Sequence, residues 1–122
     1  MKNIRNFAAL ILSFSGVLHV IAYILNPDYS AAAGLLVFGI VYLIVGMLLF
    51  LWKSDYSLYL GVIIPLVGST LSIIKFGVPD LISLSALFKV LSLGTIICCV
   101  YLLSKQKKIL HAVYKINYKK AE

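Results

Sequence analysis

Four long stretches without acidic residues, Phe7 to Leu25, Ala31 to Trp52, Ser57 to Ile74 and Leu81 to Ser104, leave this chain very few ways to fold. Each is long enough to cross the hydrocarbon core of a bilayer as a helix, which takes about 20 residues at 1.5 Å per residue. In lipid a spanning segment must satisfy its backbone internally, so apolar runs of this length read as helices. The connections between them are too short to hold any other structure. With 62% hydrophobic and 12% charged residues and a mean hydropathy of +1.05, the composition lies outside the range of a soluble domain. The expected fold is all-α: an integral membrane four-helix bundle, one domain over residues 1–122, ending in a short basic tail over 105–122.

The excess of 11 Lys plus Arg over 4 acidic residues would suggest nucleic acid in a soluble protein. Here it follows the connections instead. Lys2, Arg5, Lys53, Lys105, Lys107, Lys108, Lys115, Lys119 and Lys120 belong to one side, while the two opposite loops hold only Lys75. Positive residues are retained on the cytoplasmic side, so both termini are expected there, in a multi-pass protein of a prokaryotic inner or plasma membrane. Trp52, Tyr56 and Tyr59 cluster at the second connection, where amphipathic rings favour the headgroup level. Asn26, Pro27 and Asp28 form a turn, Pro65 interrupts the third run, and Asp80 stands where it would cap the fourth helix.

Small and polar residues recur at spacings of three and four within every run: Gly16, His19 and Tyr23; Gly39, Tyr42 and Gly46; Gly61, Pro65, Gly68 and Ser72; Ser85, Lys89, Ser92 and Cys99. That spacing puts each set on one helix face. Because lipid tails are as apolar as leucine, membrane helices associate through such small residues, and the four faces are expected to meet in the bundle interior.

Lys89 is the only charged residue inside any of the four runs. An ammonium near the middle of a spanning helix costs about 2.5–3.5 kcal/mol on insertion scales, which makes it a candidate site by default. Counted from the outer helix ends, Lys89 lies about 12 Å deep and His19 about 10 Å, level with Ser69, and with Ser85 one turn above. Lys89, His19, Tyr23, Ser69 and Ser85 are therefore the candidate ligand-binding set, a cationic pocket in the outer half of the bilayer. Against this, Lys89 can snorkel to the outer headgroups, and His19 can serve only to join helices.

Other chemistry has no residues to carry it. The four acidic residues all fall outside the apolar runs, which disfavours a proton-coupled cation exporter. No Cys-x-x-Cys, phosphate-binding glycine loop or nucleophile elbow occurs, and the lone intramembrane histidine lacks companions for a metal. The adjacent Cys98 and Cys99 point about 100° apart on a helix and read as small apolar fillers. No catalytic residue, metal or cofactor is assigned. The tail reads as a stop-transfer anchor. Drawn as a helix, it puts Lys108, Lys115 and Lys119 on one face, so Lys105, Lys107, Lys108 and Lys115 are candidate contacts to anionic headgroups of the cytoplasmic leaflet.

The stretch FGIVYLIVG, a turn containing Trp52 and Lys53, and then YLGVIIPLVG resemble a pattern of small uncharacterised four-span prokaryotic membrane proteins, over Val37 to Gly68. The resemblance implies the four-span architecture and no activity. Small multidrug exporters and fluoride channels are similar in size alone. The functional expectation is an accessory, assembly or immunity-type partner of another membrane component, or of a second copy. The alternative is a small-ligand or anion-binding bundle, acting as a transporter or channel on oligomerisation, with Lys89 as its anchor.

Overall fold

The computed structural model describes residues 1–28, 30, 32–76 and 83–121. They form four helices, α1 (Lys2–Leu25), α2 (Ala32–Leu51), α3 (Asp55–Phe76) and α4 (Leu84–Ala121), each long and apolar enough to cross a membrane. α1 begins a turn before the first apolar run. α4 continues well past Ser104, where the apolar pattern ends, because lysine, glutamine and leucine all favour helix. α3 runs on through Pro65, which is buried. Asp80, expected as the cap of α4, lies outside the described residues. At the start of α4 the Ser83 hydroxyl accepts from the Ala86 amide at 3.2 Å, the geometry of an N-cap.

Each helix packs against the next in the chain and α4 closes the ring onto α1, with the α1/α2 contact the most extensive. Small residues set that closeness. A Cβ on Gly16 would stand 2.8 Å from the Gly39 carbonyl oxygen, and one on Gly46 would collide with the Ser13 hydroxyl, so the two backbones touch where side chains would otherwise hold them apart. The core runs through Ala8, Ala9, Leu12, Tyr42, Val45, Leu49, Leu58, Cys99 and Leu102. The outward faces are apolar: on α1, the exposed Phe7, Leu10, Phe14, Val17, Ile21 and Ile24 repeat at alternating steps of three and four. A bundle with its polar residues inside and its apolar stripes outside is arranged for a lipid surround.

The small-residue stripes do face inward. Gly16, His19, Gly39, Tyr42, Gly46, Gly61, Pro65, Ser92 and Cys99 are buried, and Tyr23, Gly68, Ser72, Ser85 and Lys89 are half-buried.

Candidate functional site: a polar layer and an arginine clamp

Three contacts bring one layer together. His19 on α1 meets Phe88 on α4, Tyr42 on α2 lies edge-on to His19, and a Cβ on Gly68 of α3 would come 2.7 Å from the Tyr42 hydroxyl. The His19 ring stacks on Phe88 at 3.9 Å between centroids and receives Tyr42 at 5.2 Å with an interplanar angle of 70°. The edge-on arrangement suits the quadrupoles of aromatic rings. His19 Nδ1 donates to the Ser15 carbonyl at 2.7 Å, which fixes the tautomer of the neutral ring and leaves Nε2 as an acceptor. On α4, the Thr95 hydroxyl donates back to the Leu91 carbonyl at 3.1 Å. The Ser15 hydroxyl is fully buried and has no partner among the described residues.

Lys89 belongs to the same layer. Cys99 Sγ faces Gly61 closely enough to set the register of α4 against α3, and counting ten residues back along antiparallel helices puts Lys89 opposite residue 71. Ser69 and Ser72, both half-buried, lie within a turn of that level. The ammonium itself is enclosed and makes no hydrogen bond among the described residues. It is hydrogen-bonded to none of His19, Tyr23, Ser69 or Ser85. The His19 ring, with Phe88 on it and Tyr42 at its edge, is held as a packing group.

No protein-family model, curated protein or solved structure matches this chain. Its functional reading therefore rests on the geometry alone.

At the other end of the bundle stands a second polar constellation, with no counterpart in the pattern of apolar runs. Arg5 is buried, and one of its terminal nitrogens donates to the Ser54 carbonyl and to the Ser57 hydroxyl, the latter at 3.1 Å. The Ser57 hydroxyl lies 2.8 Å from the Ser54 carbonyl and 3.1 Å from that of Trp52. A cation is thus fixed beside the carbonyls that follow the C-terminus of α2, where the helix dipole favours positive charge, while Asp55 stands in the first turn of α3, where it favours negative charge. The clamp ties the start of α1 to the α2–α3 connection. Its signal in the sequence is faint but real: Arg5 extends the inward stripe of Ala8, Ala9, Leu12, Ser15, Gly16 and His19 by one turn.

Beyond the bundle, the lysines expected at the headgroups lie on α4 itself. Lys105, Lys107, Lys108 and Lys115 are all exposed, and Lys105 Nζ sits 5.8 Å from the centre of the Tyr101 ring.

Proposed function

We propose that this chain is a non-catalytic, multi-pass protein of the cell membrane that acts as an accessory or assembly partner of another membrane component, with its N-terminus and the end of α4 in the cytoplasm. One observation carries the reading: α4 leaves the bundle after Leu102, its last buried residue, and continues as an exposed helix. Inside the bundle His19, Tyr42, Thr95 and Arg5 are already engaged with one another, with Ser57 or with backbone carbonyls. The charge distribution supports the orientation, since Arg5 binds the α2–α3 connection that carries Lys53, at the end from which the lysines of α4 emerge. With the span ending near Ser104, Lys105, Lys107 and Lys108 fall within about 6 Å of the hydrocarbon boundary, the depth of anionic headgroups, and Lys115 about 17 Å beyond it.

The enclosed Lys89 ammonium, which has no hydrogen-bond partner among the described residues, favours a second reading, in which the bundle binds a small anion or anionic group in the outer half of the bilayer. A buried charge without a counter-charge is costly, and a bound anion would offset it. Native mass spectrometry of the protein extracted gently from its own membrane, beside a Lys89→Met variant, separates the two. A reproducible heavier protein complex unaffected by the substitution supports the accessory reading. A small anion bound to the wild type and lost from the variant supports the second.

A further inference from the structure

The inward seam of α4 does not stop where the bundle stops. Phe88, Ser92, Thr95, Cys99, Leu102 and Gln106 follow one another at steps of four, three, four, three and four, and all are buried or half-buried. Three more steps of the same pattern, three, four and three, give Ile109, Val113 and Ile116. These are 47%, 50% and 57% exposed, with no other helix of the chain beside them. An apolar heptad seam with β-branched residues is the surface one helix offers to another in a coiled coil. Lys105 and Lys119 fall at the heptad position that flanks this seam, where charges select a partner helix, and Lys108 and Lys115 lie further round the same side of the helix. No acidic residue lies between Asp80 and Glu122 to neutralise them.

We infer that this arm docks an acidic amphipathic helix of another protein, which lays its apolar face on Ile109, Val113 and Ile116 and its carboxylates against the flanking lysines. The inference rests on the accessory-partner reading and names the chemistry of that partner. Charge complementarity decides the occupant. A second copy of the arm would set lysines against lysines, a like-charge juxtaposition that interfaces use to reject partners. To lie on the bilayer the helix would have to turn near Ser104, yet α4 is unbroken from Leu84 to Ala121 and has no glycine or proline after Gly94.

The test uses the full-length protein in bilayers of neutral lipid and a fluorescent synthetic helix with Ile and Leu at its core heptad positions and Glu at the flanking ones. Anisotropy should show binding about tenfold tighter than for the same peptide carrying Lys at its flanks, weakening as salt is raised. The combined variant Ile109→Gln, Val113→Gln and Ile116→Gln should lose about tenfold or more for the acidic peptide. Glutamine is a good helix former, so circular dichroism should report unchanged helicity. Replacing Lys105 and Lys119 by Gln should erase most of the preference between peptides. Equal affinity of wild type and the seam variant overturns the inference, as does binding that requires anionic lipid, or a wild-type dimer that the seam variant abolishes. Extraction from the native membrane separates this failure from that of the parent reading. A complex equally present in wild type and seam variant overturns the arm and keeps the accessory role; no complex in either, with no peptide binding, overturns both.

Discussion

Replacing Gly16 by alanine adds one methyl group at the tightest backbone crossing of the bundle. That methyl would stand 2.8 Å from the Gly39 carbonyl oxygen and 3.0 Å from the Leu43 amide nitrogen, where ordinary contact begins near 3.4 Å. Neither atom is the end of a flexible side chain. The helices must therefore part by the difference, 3.4 − 2.8 = 0.6 Å, at this point. A gap of about 0.5–1 Å forfeits a quarter to a half of the dispersion energy of each atom pair along the opened seam, and forced overpacking of this kind costs about 1–3 kcal/mol. Alanine also gains about 1 kcal/mol of helix propensity over glycine, which would mask the effect. Gly94→Ala supplies the control. Its methyl would meet only the tip of Ile11, at 4.0 Å, so it takes the same propensity gain without the clash. Equilibrium unfolding in mixed micelles, followed by helical circular dichroism, should find Gly16→Ala less stable than Gly94→Ala by about 1–3 kcal/mol. Equal midpoints would refute the close α1/α2 crossing.

The arginine clamp makes Arg5 and Ser57 interdependent: Arg5→Gln should cost about 1.5–3 kcal/mol, and the double change with Ser57→Ala less than the sum of the single changes. Strict additivity in the same unfolding assay would mean the two side chains do not act together. His19→Phe keeps the stack on Phe88 and removes one neutral hydrogen bond, so a loss of about 0.5–1.5 kcal/mol is expected; unfolding of the bundle would show that the imidazole does more than pack. Lys89→Met, which removes a buried charge with no hydrogen-bond partner among the described residues, should leave the ligand-free protein as stable or more so. A fall of several kcal/mol would reveal an ion pair. Cys99 is fully buried against Gly61, so in a Cys98→Ala background a thiol reagent should label the protein only after denaturation, and rapid labelling of the folded form would contradict that packing.

The four helices were readable from the apolar runs because in lipid the backbone has no other way to satisfy itself. Their inward faces were readable too: Gly16, Gly39, Gly46 and Cys99 recur at helical spacing for the same reason that they end up touching, namely that only small residues permit the approach. What the pattern withheld depends on pairs distant in the chain. Arg5 looks like a topology signal until Ser54 and Ser57 arrive beside it, 49 and 52 positions away. Phe88 is one apolar residue among many in its run, and only the packed bundle sets it on His19. α4 continues past Ser104, where the apolar run ends, because hydropathy falls there while helix propensity does not. Lys89, His19 and Ser69 share one layer, but equal depth does not establish contact, which the sequence pattern cannot supply.

The most direct test of the accessory role is the mass of the assembly released from the native membrane by gentle extraction, compared between the wild type and the variant with glutamine at 109, 113 and 116. The expected result is a reproducible heavier complex for the wild type that dissociates to the lone chain in the variant, with Lys89→Met leaving it intact. A wild-type chain that emerges alone, carrying a small anion that Lys89→Met removes, would contradict the accessory role and move the function to the polar layer.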